Sequence, residues 1–367
     1  MVTGTVKTIK CVVWDLDNTL WQGTILEDRH VRLDDSVREL IRVLDSRGIL
    51  QSVASKNHYD LAWSRLEELG IAEYFILPQI GWGPKSASVS RIMETLNFAE
   101  SVIAFVDDQP AERAEVAFHL PEVRCYSPEQ LSGLADLAEF VPANITEDAR
   151  RRRLMYQASF IRDAAREEFS GPDEEFLRSL ELVLKITPAD PESLTRVEEL
   201  TLRTSQMNAT GVHYSDADLR ALLLDPAHEV LVATLTDRYG PHGAIGVVLL
   251  EKYADCWHLR LLATSCRVVS FGIGTVILNW LISRAQRAGV HLVADFRRTE
   301  RNRMMEMAYR FAGFTESNCL CIGTLPESDA EIQRFHLVPD ERSVPDTIRF
   351  EAPGSLPVAP QIEQTGV

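Results

Sequence analysis

Short apolar runs alternate with longer amphipathic stretches through the first third of the chain. Buried-strand patterns fall near 9–15, 49–54, 74–77, 102–106 and 123–125, and helical periodicity near 34–47, 59–69, 84–96 and 110–118. This rhythm predicts an α/β domain, a Rossmann-like parallel sheet with helices on both faces. About fifteen residues separate Thr19 from the first helix. That is too few for a large lid, so any cap over the carboxyl ends of the strands is minimal. After Pro142 the pattern changes. Thr146 can cap a helix with Glu147 and Asp148 in its first turn, which runs through Arg150-Arg151-Arg152-Arg153 towards Phe169 and is broken by Gly171-Pro172. From about Leu182 a helix over 191–204 precedes strands near 229–236, 243–251 and 256–264, then Cys266-Arg267, Gly272-Ile273-Gly274 and an apolar helix over 275–287. A strand at 291–296 and a helix at 302–312 end at Gly313-Phe314, which makes a second, α+β domain. The predicted boundaries are 1–140 for the first domain, 141–182 for a helical linker and 183–325 for the second domain. Residues 326–367 form a tail, partly disordered, because the chain after about 350 is rich in Pro, Gly and Gln.

The chemistry gathers at the predicted strand ends. Cys11-Val12-Val13-Trp14 runs into Asp15-Leu16-Asp17-Asn18-Thr19, so a buried strand ends in two carboxylates. Unpaired charges there cost several kcal/mol, and a counter-ion or metal is expected. At period two, Asp15 and Asp17 leave the strand on the same side. The second strand ends at Ser55-Lys56-Asn57, Gly83-Pro84-Lys85 opens a helix, and Val102-Ile103-Ala104-Phe105-Val106 ends in Asp107-Asp108. Ser55 can hold a phosphate oxygen, Lys85 can neutralise a phosphate, and the carboxylate pair suits Mg²⁺. Taken singly, Ser55 reads equally as a helix cap, Lys85 as a surface charge, and Asp107 and Asp108 as turn residues. Their succession at the carboxyl ends of one sheet is what points to a site.

Composition narrows the partners. The chain has 367 residues, enough for two domains, and a net charge of −16, which argues against nucleic acid or an anionic membrane as the main partner. No signal peptide or membrane span is read from the sequence. Six cysteines without zinc-type spacing suggest reduced thiols and a cytoplasmic location. Cys319 and Cys321 are two apart, on one face of an expected strand, and strand packing is the expectation for them rather than metal binding. The arginine run 150–153 reads as a solvated helix face, or as a docking patch for an acidic partner. Arg297, Arg298, Arg301 and Arg303 are further basic candidates for a carrier or phosphates.

Asp15-x-Asp17-x-Thr19 resembles the signature of haloacid-dehalogenase-like phosphoryl-transfer enzymes, in which the first Asp attacks phosphorus and the second is general acid and base. The second domain looks like the acyl-CoA-binding half of N-acetyltransferases. That family has a basic residue or Gln three positions before the first glycine, where this chain has Val269. As a whole the chain is similar, over roughly residues 8–320, to the FkbH-like proteins of polyketide biosynthesis. The resemblance rests on Val13-Trp14-Asp15-Leu16-Asp17-Asn18-Thr19-Leu20-Trp21, Pro78-Gln79-Ile80-Gly81-Trp82-Gly83, Phe105-Val106-Asp107-Asp108-Gln109-Pro110, Arg203-Thr204 with Asn208-Ala209-Thr210, and Ser265-Cys266-Arg267. It implies a chain that takes 1,3-bisphosphoglycerate, removes both phosphates and loads the glyceryl group onto an acyl carrier protein, for a methoxymalonyl-type extender unit.

On that reading Asp15 is the nucleophile and Asp17 the acid and base, with Mg²⁺ held by Asp15, the Asp17 carbonyl and Asp107, and Asp108 supporting or replacing Asp107. Thr19, Ser55, Asn57, Lys85 and Arg267 would bind phosphate or substrate. Cys266 is the candidate acyl carrier on the enzyme, at a strand end before a helix and beside Arg267, features that lower a thiol pKa. It also reads as a small buried core residue. His258 is eight residues from Cys266, roughly 26 Å along a strand, so a base must come from elsewhere, such as His213 or a carboxylate. A plain Mg²⁺-dependent phosphatase, a carrier-binding scaffold and an N-acetyltransferase are the other classes.

Overall fold

The computed structural model describes residues 7–28, 30–142, 145–204 and 207–354, the side chains of residues 202 and 203 excepted. The chain divides into two compact units, Met1–Phe160 and Ile161–Val367.

The first unit is built on five parallel strands: β1 (Cys11–Trp14), β2 (Leu50–Ser55), β3 (Gln79–Ile80), β4 (Ile103–Val106) and β5 (Arg124–Tyr126), in the order β3-β2-β1-β4-β5. Sheets of this kind are covered on both faces, which explains the unbroken apolar runs. Alternate residues serve opposite cores. Val12, Trp14, Val53, Ala104 and Val106 pack on one face, and Cys11, Val13, Leu50, Ala54, Ile103 and Phe105 on the other. Each such side chain contributes about 1.5–3 kcal/mol by leaving water. Helices Asp35–Ser46, Tyr59–Glu68, Lys85–Leu96 and Pro110–His119 lie where the periodicity put them.

The stretch 74–77, expected as a strand, contains the end of a 3₁₀ turn (Ala72–Tyr74) and a single bridge from Phe75 to Gln51. Leu77 takes a left-handed φ of 49° ahead of Pro78, which ends the extended run and delays strand pairing to Gln79.

Thr146 caps the next helix by accepting from the Ala149 amide at 3.1 Å. The predicted single helix is two, Glu147–Arg150 and Arg152–Glu168. The first lies against the Gly48 turn, where a Cβ would come within 2.5 Å of the Ala149 carbonyl oxygen. Half of the arginine run is absorbed in this packing. Arg152 donates to the Gly48 carbonyl at 2.9 Å. Arg153 donates to Asp45 and to the Glu73 carbonyl, each at 2.9 Å, and stacks over Tyr74. Arg150 and Arg151 are exposed.

The second unit has an eight-stranded mixed sheet. Its strands are β6 (Leu182–Pro188), β7 (His228–Asp237), β8 (Gly240–Lys252), β9 (Cys256–Thr264), β10 (His291–Phe296), β11 (Thr315–Glu316), β12 (Gln333–Leu337) and β13 (Ile348–Glu351), ordered β11-β12-β10-β9-β8-β7-β6-β13. Helix Ile273–Ala288 buries Val276, Ile277, Trp280 and Leu281 in the larger core. Helices Leu194–Arg203 and Asp216–Leu224 bring Leu194, Val197 and Leu219 against Val230, Val247, Leu249 and Leu261 on the other side. The fold class is the expected one, a Rossmann-like parallel α/β unit followed by an α+β unit. The segment expected as a tail differs. β12 and β13 lie within it, because Phe335, Leu337 and Ile348 are buried in this sheet. Residues 355–367 lie outside the described residues. Among the described residues no helix is long and apolar enough to cross a membrane.

Candidate active site

Parallel pairing of β1 with β4 sets Trp14 beside Val106, and the Asp15 amide donates to the Val106 carbonyl at 2.9 Å. The residues that follow the two strands, Asp15 and Asp107, therefore meet at one strand end. Lys85, the first residue of its helix, reaches between them. Its ammonium donates to Asp15 Oδ1, to Asp107 Oδ2 at 3.1 Å and to the Ala54 carbonyl at 2.7 Å. All three side chains are buried, Lys85 at 3% exposure, Asp15 at 6% and Asp107 at 0%. Burial pushes the Asp15 carboxyl up from its ordinary value; the Lys85 charge and hydrogen bond, a backbone amide and Ser55 oppose this. Burial also raises Asp107, and the Asp15 charge adds to the effect against Lys85.

Asp108 makes the third carboxylate. It is raised by burial and by Asp107, and its Oδ1 is buried with no hydrogen-bond partner. One oxygen each of Asp15, Asp107 and Asp108 lie within 4.8 Å of one another. Three carboxylates facing one ammonium, with a buried oxygen left unpaired, fit a hard divalent cation such as Mg²⁺.

The other predicted residues frame this cluster. Thr19 Oγ1 accepts from the Asp108 amide at 2.9 Å, which ties the Asp15–Thr19 loop to the end of β4. Ser55, at the end of β2, is near enough to Asp15 to hold its carboxyl down against burial. Asn57 donates to Asp17 Oδ2 at 2.9 Å, and Asp17 Oδ1 accepts from Trp21 Nε1 at 2.8 Å and the Ile25 amide at 3.1 Å. The Asp17 carboxylate is thus held outside the three-carboxylate group. Asn18, at φ 54°, supplies a left-handed turn directly after Asp17, which folds the chain back so that Trp21 and Ile25 reach the Asp17 carboxylate.

Sequence reasoning left Trp82 without a role. The Gly81 amide donates to the Ser55 carbonyl at 3.0 Å and so brings this loop to the end of β2. Trp82 is 63% exposed there, edge-on to His58 with ring centroids 5.5 Å apart. The signal was an aromatic set between Gly81 and Gly83 in a loop, since binding residues concentrate on loops.

In the second unit Cys266 is exposed, at the start of the 3₁₀ segment Cys266–Phe271 between β9 and helix Ile273–Ala288. It is not the buried core residue of the alternative reading. Arg267 donates from its backbone amide and its Nε to Ser265 Oγ, at 3.4 and 3.3 Å. His258 bonds to Asp295 at 2.8 Å, and His213 lies 3.1 Å from Thr201 Oγ1 and 3.7 Å from Glu198. Val269 packs on the apolar core. Arg297 donates to the Thr210 carbonyl at 2.8 Å, Arg298 pairs with Glu306 at 2.9 Å, and Arg301 and Arg303 are exposed.

β9 and β10 pair only over Cys256–Leu259 and His291–Ala294, and each runs on beyond. The chain's own residues 207–211 fill the gap that follows. The Ala209 amide donates to Leu262 at 3.1 Å, Thr264 donates to Met207 at 2.8 Å, and Arg297 donates to Ala209 at 3.0 Å. Fully buried Asn302 fixes this wedge through the carbonyls of Asn208 at 3.1 Å and Arg297 at 2.9 Å.

No protein-family model matches this chain, and no curated protein matches it. Among solved structures it is similar to the N-terminal part of a Bacteroides fragilis protein containing a phosphatase domain complexed with Mg, at 28% identity and a TM-score of 0.32. That likeness covers 39% of this chain and 42% of the other, so less than half of that protein is spanned. A hydrolase of the haloacid-dehalogenase superfamily from Geobacter sulfurreducens is similar at 14% identity and a TM-score of 0.30, over 35% of this chain and 99% of that one. The ribosomal-protein-S18-alanine N-acetyltransferase of Escherichia coli is similar at 16% identity and a TM-score of 0.32, over 45% of this chain and 98% of that one.

Proposed function

We propose that this chain is a Mg²⁺-dependent phosphatase that also passes an acyl group to a carrier protein. It would take 1,3-bisphosphoglycerate, release both phosphates and load the glyceryl group onto the phosphopantetheine thiol of an acyl carrier protein. The observation that carries this reading is the buried Asp15–Lys85–Asp107 group with the unpartnered Asp108 oxygen beside it. Such a cluster is costly for a fold and useful for phosphoryl transfer.

In this reading an Asp15 oxygen attacks the phosphorus of the monoester, and the bond from phosphorus to the glyceryl oxygen breaks. A proton from Asp17 goes to the leaving alkoxide. Water then attacks the phosphoaspartate, gives a proton back to Asp17, and releases phosphate and free Asp15. Asn57 makes a single hydrogen bond to Asp17 Oδ2, which leaves that oxygen a second lone pair for the proton it passes. Lys85 opposes the burial that pushes the attacking carboxyl up. A bound Mg²⁺ would be held by Asp15, Asp107 and Asp108, and would spread the charge that develops on the phosphoryl oxygens.

The acyl phosphate is a separate task. The Cys266 thiolate would attack the carbonyl carbon and expel phosphate, and the carrier thiol would then attack the thioester and free Cys266. Exposure of Cys266 supports this role, because a carrier's prosthetic arm must reach it. A phosphatase without acyl transfer is the second reading, favoured by the apolar setting of Val269 and the filled gap between β9 and β10.

Intact-protein mass spectrometry after addition of 1,3-bisphosphoglycerate and Mg²⁺, with and without a phosphopantetheinylated carrier, separates the two. A glyceryl-sized adduct that moves from enzyme to carrier and is lost in Cys266→Ala is the expected result. Phosphate release with neither protein modified leaves only the phosphatase.

A further inference from the structure

Four potential metal ligands from three separate stretches of the chain converge at the β11 end of the second sheet. His291 begins β10, and His336 lies on β12, paired with Val293 two residues along from His291. Two residues is one full pleat, so both imidazoles rise from the same face. Cys319 precedes the short helix Leu320–Gly323, and Cys321 lies within it. The expected strand at 319–321 is therefore absent, and the turn brings both thiols over the two histidines.

The distances are close to those of a coordination shell, the S···N edges matching and the S···S and N···N edges each about 0.4 Å short. His291 Nδ1 is 3.5 Å from Cys319 Sγ and 3.5 Å from Cys321 Sγ, and 3.0 Å from His336 Nε2. The two sulfurs are 3.4 Å apart. A tetrahedral ion with metal–sulfur bonds of about 2.3 Å and metal–nitrogen bonds of about 2.0–2.1 Å requires edges of about 3.8, 3.5 and 3.4 Å for S···S, S···N and N···N. All four ligand atoms lie within 4.8 Å of one another.

The surroundings favour a metal as well. Cys256, Val293, Cys321 and Leu325 form a small apolar cluster there. The Cys321 carbonyl is fixed by Thr324 Oγ1 at 2.8 Å and the Cys256 thiol at 3.6 Å. A thiol pair and an imidazole pair share this pocket, and two thiolates with two neutral imidazoles would balance a divalent charge.

We propose that His291, Cys319, Cys321 and His336 bind one Zn²⁺ ion as a closed, structural site. Soft thiolate and imidazole ligands select zinc over Mg²⁺ or Ca²⁺, and four protein ligands leave no open position for catalysis. Binding releases the two thiol protons to the buffer. The ion clips the excursion between β11 and β12, which has only one short helix of its own, onto the sheet.

The test is the zinc content of the full chain purified without chelator. About one zinc per chain is expected, lost in Cys319→Ser/Cys321→Ser and kept in Asp15→Asn, which separates this site from the carboxylate cluster. Where the double variant does not fold, Co²⁺ added to chelator-stripped wild-type protein decides. A thiolate-to-metal charge-transfer band with intense visible bands supports the site. Zinc content unchanged by the double variant, a chain that neither holds zinc nor gives that band, or a mass lower by two hydrogens from a Cys319–Cys321 disulfide would each overturn it.

Discussion

Lys85 Nζ lies 3.1 Å from Asp107 Oδ2 while it also bonds to Asp15, so one ammonium serves carboxylates from two adjacent strands. Removing it leaves two buried anions face to face. Lys85→Met should cost about 3–5 kcal/mol of stability, with part regained on addition of Mg²⁺. Denaturant unfolding with and without the ion measures both. A variant as stable as the parent, and indifferent to Mg²⁺, would show that the carboxylates do not depend on Lys85.

Asp17 and Asn57 are joined across 2.9 Å, and their roles in the proposed reaction differ. Asp17→Asn should slow phosphate release by roughly 10²–10⁴-fold, the usual share of a general acid and base. Asn57→Ala keeps the carboxylate and loses only one orienting contact, so its loss of kcat should be smaller. Equal losses in steady-state assays would place both residues in substrate binding instead.

Asp237 gives the second unit a pH signature. Burial pushes its carboxyl up, but hydrogen bonds from His242 and Arg162 and the Arg162 charge outweigh this and hold it well below the usual carboxylate range. A depressed carboxylate stabilises the fold fully above its unfolded value, about pH 4, and the contribution drains away as pH falls towards the folded value. Arg162→Ala should cost about 3–5 kcal/mol at neutral pH, and the gap between variant and parent should narrow below about pH 4. Unfolding titrations at several pH values test the slope; a gap that is constant with pH contradicts the assignment.

Asn302 joins the 207–211 wedge to the loop after β10, donating to the Asn208 and Arg297 carbonyls and accepting from the Thr299 amide. Asn302→Ala should cost about 1–3 kcal/mol for each carbonyl left unsatisfied, seen as a lower Tm. An unchanged Tm would mean that water replaces the side chain.

Much of the first unit was legible because strands buried on both faces leave continuous apolar runs, and because Asp15, Ser55 and Asp107 stand directly at their ends. The missed details are those that depend on direction. Asp15 and Asp17 share strand parity, yet the Asp17 carboxylate is taken up by Asn57 and by Trp21, which the left-handed turn at Asn18 folds back onto it. The arginine run gave charge but not partners, and Arg152 and Arg153 spend theirs on Gly48 and Asp45. In the second unit β12 and β13 are short and carry polar residues between their few apolar ones, so periodicity hid them. Cys319 and Cys321 looked isolated because their neighbours His291 and His336 come from strands that only tertiary pairing brings together.

The wedge between β9 and β10 divides the second sheet in a way its strand order conceals. At the Cys256–Leu259 end the two halves are joined by direct ladder bonds; at the other end residues 207–211, which belong to neither strand, stand between them, bonded to β9 through Met207 and Ala209 and to Arg297 through Ala209 and Thr210. A fluctuation that withdraws five residues would part the sheet like a hinge, with the rest of its pairing intact. The amides of Ala209, Thr264 and Arg297 would then exchange with solvent together, as one cooperative unit and ahead of the ladder beside them.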